Sequence, residues 1–256
     1  MCVELCSAKL LSPYFGTSIY VWASVLGTTL IALMTGYYWG GYLSAKDSKK
    51  ETIYWTMLVS GCLVVLCPLI SNLVLPYTIQ LSLLAGSVIS LGCFLFLPLL
   101  LFGSISPMVI NILTESAKDS GKSSGTVYAV STFGGIITTF FVGFYSLPQF
   151  GLSITLFFYG ALVIATALLL FIYSKKLNAS ALIIIFFSIS AYAFNQQIDT
   201  EQYLYKSEGI LGEVKVIDEI LYSPEERQNK AYRKLMVNNI SQTIMDIQNP
   251  HLSYWA

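Results

Sequence analysis

The chain has 256 residues, of which 55% are hydrophobic, 14% aromatic and 11% charged, with a formal net charge of zero. Soluble globular proteins carry about a quarter charged residues, so the composition excludes a wholly soluble enzyme and a disordered chain. The zero balance leaves no basic footprint for nucleic acid. The charges are unevenly spread: residues 1–198 hold five acids and eight lysines, and residues 199–256 hold nine acids and six bases. This divides the chain into a membrane domain, 1–198, and a short polar domain, 199–256.

A spanning helix needs about 20 mostly apolar residues. Residues 18–43, 53–75, 79–103, 124–147 and 152–173 each qualify, and 179–195 is a shorter sixth run. Each must satisfy its own backbone hydrogen bonds in lipid, so they are read as helices. Residues 2–12 are too short to span and hold Glu4 and Lys9. They lack the ordered regions of a signal peptide, and read as the latter half of a helix or as a re-entrant segment. Pro98 is expected to kink its helix, and Ser106-Pro107 to break the chain before a short helix at 108–115.

Lysines cluster in three short loops: 44–51 (Lys46, Lys49, Lys50), 114–122 (Lys118, Lys122) and 174–178 (Lys175, Lys176). The loops between them, 76–78 and 148–151, are uncharged. Cytoplasmic loops are enriched in lysine and arginine, so the three basic loops are placed in the cytoplasm. The polar domain then lies outside if 179–195 spans, and in the cytoplasm if it does not.

Inside the membrane domain, Glu4 and Lys9 are the ionisable candidates, since charged groups at membrane depth face a cavity or a partner. Their separation of five residues puts them about 140° apart around a helix, too far round to pair with each other. Gly36-x-x-x-Gly40, extended by Gly41, is a close-packing signature. Followed by its lysines, it also looks like the loop between the second and third helices of major-facilitator transporters, without that family's Asp and Arg. Tyr20-x3-Ser24-x2-Gly27 recurs as Tyr128-x3-Thr132-x2-Gly135, which fits two inverted three-helix repeats. The five cysteines, all in apolar runs, read as small buried hydrophobes, and no metal pattern is present.

In the polar domain, Glu213-Val-Lys-Val-Ile-Asp218 alternates polar and apolar residues as a half-buried strand does. Arg233–Val237 and Ile240–Ile244 are further strand candidates. Ser223-Pro-Glu-Glu226 and Asn238-Asn239 read as turns. A sheet of this size has little core of its own and is expected to pack on something else.

These stretches resemble a known family. Ser207-Glu208, Gly212-Glu-Val-Lys-Val-Ile-Asp218 and Arg233-Lys-Leu-Met-Val-Asn-Asn-Ile-Ser-Gln242 look like the N-terminal β-domain of spermidine synthase-like aminopropyltransferases. The helical part is similar to that of bacterial membrane-fused spermidine synthases, through Glu4-Leu, Leu10-Leu-Ser-Pro-Tyr-Phe-Gly16, Trp22, Gly36-Tyr-Tyr-Trp-Gly-Gly41, Ser106-Pro107 and Gly125-x2-Tyr128-Ala-x-Ser131-Thr-x-Gly134.

The resemblance implies an integral protein of a bacterial inner membrane. Its fold would be an α-helical polytopic bundle of about six to seven spans, a major-facilitator-like half, followed by a small β-rich domain. It implies a polyamine-related role, with Gln242 and Tyr254 as the substrate contacts that carry across. The family's glycine-rich Rossmann loop and catalytic aspartate have no counterpart before Ala256, and Met1 aligns with the interior of the family's first helix. The expectation is therefore a catalytically incomplete chain, without catalytic residues or cofactors, with the lipid bilayer and a Rossmann-fold domain or subunit as partners. Two other readings stand beside it: a small-molecule transporter, and a non-catalytic subunit that docks a separate transferase.

Overall fold

The computed structural model describes residues 1–46, 50–114, 119–175, 179–209, 212–223, 228–238, 240–247 and 253–255. Among the described residues, eight α-helices are followed by five strands. The helices are α1 (Cys2–Phe15), α2 (Ile19–Lys46), α3 (Lys50–Thr78), α4 (Leu83–Phe94), α5 (Phe96–Leu113), α6 (Ser120–Phe141), α7 (Leu147–Tyr173) and α8 (Ala179–Gln202). A π-helical turn, Val142–Ser146, joins α6 to α7. Four helical stretches are long and apolar enough to cross a membrane: Ile19–Lys46, Lys50–Thr78, Phe96–Leu113 and the continuous Ser120–Tyr173. They make the chain an integral membrane protein.

The bundle is held by backbone approach and by hydroxyl pairs between helices. Gly36 and Gly40 of α2 lie against α5, where a Cβ on either would run into the carbonyl oxygens of Leu100 and Ser104. Gly61 of α3 and Gly160 of α7 make a second close approach. Small residues at such crossings let dispersion and weak polar contacts act at short range, the main source of helix association in lipid. Ser24 of α2 bonds Ser87 of α4 at 3.1 Å, and Thr78 of α3 bonds Ser90 of α4 at 2.7 Å. Gly41 has open space where its Cβ would stand, so only the first two glycines of the sequence signature do packing work.

The two prolines fare differently against the sequence expectation: the interruption expected at Pro98 is present, and the one at Pro107 is not. The helix break falls at Leu95, between α4 and α5, three residues before Pro98. Pro98 therefore sits in the first turn of α5, the helical position where proline is best tolerated. The Phe94 carbonyl, which a residue at position 98 would otherwise bond, instead accepts the Cys67 thiol at 3.2 Å. The expected break at Ser106-Pro107 is absent: α5 runs unbroken to Leu113 with Pro107 inside it. The bare backbone of Gly40 leaves room for the Pro107 ring, whose Cγ lies 2.8 Å from where a Cβ on that glycine would stand. Neighbouring helices routinely accommodate proline in this way in membranes.

Other expectations shift as well. Cys2, Cys6, Cys62 and Cys67 are buried, whereas Cys93 is exposed on the bundle surface. The two copies of the Tyr/Ser/Gly pattern occupy unlike settings. α2 buries Ser24, Gly36 and Gly40 among others, while α6 has no buried residue among those described.

The segment after α8 forms an antiparallel meander in the order β1 (Tyr205–Gly209), β2 (Gly212–Ser223), β3 (Gln228–Val237), β4 (Ile240–Asp246) and β5 (Ser253–Trp255). The Gly212–Asp218 and Arg233–Val237 stretches are direct neighbours, with Asp218 opposite Arg233 and Val214 opposite Val237. Asn238, at φ +51°, turns the chain between β3 and β4. The expected turn at residues 224–226 lies outside the described residues, as does Asn239.

The two ends of the bundle differ. Tyr54, near the start of α3, accepts a hydrogen bond from Ser174 at the end of α7, and Asn111 near the end of α5 reaches the Ser44 carbonyl near the end of α2. Lys46, Lys50, Lys122 and Lys175 therefore gather at one end. The sheet packs at the other, with β1 against α7 and β2 against α1.

Candidate functional site

α1 is 14 residues long, about 21 Å at 1.5 Å per residue, and does not by itself cross a bilayer core of about 30 Å. It ends at Gly16, whose φ of +74° turns the chain into α2. Lys9, Ser12 and Tyr14 on its last turns form one wall of a cavity of about 140 Å³ between bundle and sheet. A single water needs only about 10–15 Å³ measured in this way, so the space admits a larger group.

A broken helix forms the next wall. Gly151 adopts φ +75°, a conformation costly for any residue with a Cβ, and divides α7 after its first few residues. Ser146 and Thr155 bond across this break at 3.0 Å. Gly143, Leu147 and Ser153 from the same region face the cavity, along with Leu75 of α3.

The sheet closes the cavity with charge. Lys206 of β1 and Lys215 and Glu213 of β2 line it. One Glu213 oxygen lies 3.3 Å from the Lys206 Nζ and the other 2.7 Å from the Lys215 Nζ. The Tyr203 ring lies beside the same two ammoniums, 5.7 Å and 4.9 Å from its centroid. The backbone of Glu213 is fixed by reciprocal bonds to Asn238: its N–H donates to the Asn238 Oδ1 at 3.0 Å, and its carbonyl accepts the Asn238 N–H at 2.9 Å. Lys215 is only 6% exposed. Among the described lining residues, three lysines thus face one carboxylate.

The structure separates the four sequence-selected residues. Lys9 lies in this cavity; Glu4, half-buried on α1, does not line it. The 140° between them explains the difference. Gln242 is exposed on β4 and is not among the described residues that line the cavity. It falls at a β-bulge: Leu235 pairs with Thr243 and Met236 with Ser241, which leaves Gln242 as the extra residue. Bulges re-aim a side chain and are frequent beside binding sites. Tyr254 belongs to β5 opposite Ile244, two positions from Gln242, and its side chain lies outside the described ones.

Lys206, Lys215 and Glu213 were missed as site residues by sequence reading. The alternation of β2 signalled a strand but not what its lysine faces. Away from the cavity, Arg233 grips Asp218 with two hydrogen bonds of 2.8 Å. This guanidinium holds the Asp218 carboxyl below its ordinary pKa, and Asp218 raises that of Arg233.

No family model matches the sequence, and no curated protein or solved structure is significantly similar to the chain.

Proposed function

We propose that this chain is the integral membrane part of a spermidine synthase-like, polyamine-related protein of a bacterial inner membrane. One observation carries the reading: the two stretches that resemble an aminopropyltransferase N-terminal domain lie side by side as β2 and β3, with Gln242 at the bulge that follows. The rest of the resemblance supports it through the packing of Gly36 and Gly40.

In this reading the membrane domain, a major-facilitator-like half, crosses six times. The crossings are α2, α3, the α4–α5 pair bent at Leu95, α6, α7 beyond Gly151, and α8. The 54-residue apolar stretch Ser120–Tyr173 would measure about 80 Å as one rod. That is far more than one bilayer core, and its division at Gly151 makes it two crossings. With the lysine loops in the cytoplasm, α8 carries the sheet to the outer side.

The 256 residues contain no glycine-rich nucleotide loop. The chain's own role is then to hold the sheet for a Rossmann-fold transferase partner and to bind polyamine at Gln242 and Tyr254. Purified protein given putrescine and decarboxylated S-adenosylmethionine forms no spermidine. It binds spermidine in equilibrium dialysis, and Gln242→Ala weakens that binding about tenfold, the worth of one hydrogen bond. Absence of polyamine binding overturns the role. Orientation is read separately: Ser207→Cys, exposed on β1, reacts with an impermeant maleimide in intact cells, and reaction only after permeabilisation places the sheet in the cytoplasm.

A second reading, small-molecule transport, is favoured by the cavity beside a helix broken at Gly151, since discontinuous helices build transporter sites. Substrate uptake into vesicles, lost on narrowing the cavity with Ser153→Phe, is its test.

A further inference from the structure

Three of the thiols meet in one core. Cys2 and Cys6 of α1 and Cys67 of α3 belong to the same buried cluster, whereas Cys62 packs in another and Cys93 is exposed. The function proposed above uses none of them. Their sulfurs have different neighbours. The Cys67 thiol is taken by the Phe94 carbonyl. Cys2 and Cys6 instead face each other, with 4.0 Å between their sulfurs. Four residues apart, they stand one turn from each other on one side of α1. They are 7% and 0% exposed, so the surrounding core keeps water away from both sulfurs. A packing role sets only the volume at each position. A facing pair of sulfurs is also a donor set.

Soft thiolate sulfur selects soft ions, copper(I) among them. With metal–sulfur bonds of about 2.3 Å, two sulfurs share one ion when they stand about 4.0 Å apart at a bond angle of about 120°, or about 4.6 Å apart in a straight line. The observed spacing falls at the near end of that interval, so an ion enters with little movement of α1. The number of donors narrows the choice further. Among the described residues, no group of three or more His, Cys, Asp or Glu side chains is placed to hold a metal ion. Zinc completes a tetrahedron, and calcium or magnesium takes a larger set of oxygens. Copper(I) and its redox-silent mimic silver(I) are satisfied by two sulfurs. Charge balance agrees. An ion M⁺ that displaces one thiol proton gives M(SR)(HSR) and releases one H⁺ to solvent, with no electron transferred. The site stays neutral, which burial in an apolar core favours.

We propose that Cys2 and Cys6 form a two-coordinate site for a single ion of the copper(I) class, in the core where α1 meets α3. The inference stands on the thiol pair and is independent of the polyamine reading.

The full chain in neutral detergent, without oxygen, is dialysed against silver(I) or copper(I) in the presence of excess glutathione. Bound metal is counted by inductively coupled plasma mass spectrometry. Glutathione strips ions held by one exposed thiol such as Cys93. The wild type retains one ion per chain, and zinc(II) is not retained. Cys2→Ser and Cys6→Ser each lose the ion, whereas Cys62→Ser and Cys93→Ser keep it. Cys2→Ala and Cys6→Ala, which offer no oxygen donor, lose it as well. Far-ultraviolet circular dichroism verifies that every variant is folded. The ion raises the thermal midpoint of the wild type and of Cys93→Ser, but not of the Cys2 and Cys6 variants. X-ray absorption at the silver edge shows sulfur neighbours only. No retained ion in the folded wild type, retention unchanged in Cys2→Ser and Cys6→Ser, or an equal loss in Cys93→Ser overturns the proposal.

Discussion

Single atoms decide how this bundle tolerates its prolines. Pro98 cannot bond the Phe94 carbonyl, and the Cys67 thiol takes its place at 3.2 Å. A buried carbonyl without a donor costs about 1–3 kcal/mol. Cys67→Val, close in size but without a donor, should destabilise the protein by that amount, while Cys67→Ser should retain most of the stability. Thermal unfolding in detergent separates the two. In the sheet, the exposed Asp218–Arg233 pair predicts a pH effect. Because Arg233 holds the Asp218 carboxyl below its ordinary value, the pair stabilises the fold above the unfolded-state pKa of about 3.9. That contribution is lost as pH falls through the lower, folded value. Asp218→Asn should flatten the acid limb of the sheet's unfolding profile, followed by circular dichroism. Neither the thiol's partner nor the bidentate pair was legible in the sequence, since Cys67 and Phe94, or Asp218 and Arg233, become neighbours only through packing and strand pairing.

Among the elements, α2 and α5 form the tightest crossing. The Gly36-x-x-x-Gly40 spacing predicts close approach from sequence alone, because four residues return a helix to nearly the same face. Which helix would approach, and which glycine mattered, came from the contact with Leu100, Gly103 and Ser104. A methyl group at Gly36 or Gly40 forces the backbones apart, and overpacking of this kind costs typically 1–3 kcal/mol. Gly41→Ala meets open space and should be neutral or stabilising by about 0.5–1 kcal/mol. A matched set of Gly36→Ala, Gly40→Ala and Gly41→Ala, ranked by thermal midpoint, checks the assignment. The break at Leu95 was half legible: Pro98 announced an interruption, but a proline is best placed in a first turn, so the bend precedes it. Strand β2 was recognised by alternation, whereas β1 and the three-residue β5 were missed. Strands that short carry too few periods to signal themselves and exist because a neighbour pairs with them.

At the scale of the molecule, the sheet depends on the bundle. Ile220, Leu235 and Ile240 are exposed, and the strands enclose little apolar volume of their own. Residues 203–256 expressed alone should therefore show no cooperative thermal transition, while the same sheet in the full chain melts cooperatively. Persistence of a cooperative transition in the fragment would show that it has a sufficient core. The sequence by itself determined that the chain is membrane-embedded, where the apolar runs lie, that its basic loops share one end and that a polar β-rich segment follows. These are properties of composition and short-range period, set by the transfer of apolar residues into lipid and by the two-residue repeat of a strand. Only the tertiary structure decided that the sheet covers the end opposite the lysine loops, that Gln242 sits at a bulge, and that Lys9 meets Lys206 and Lys215 around one cavity. Those residues lie about two hundred positions apart, and no local pattern encodes a meeting that depends on α8 running back along the bundle.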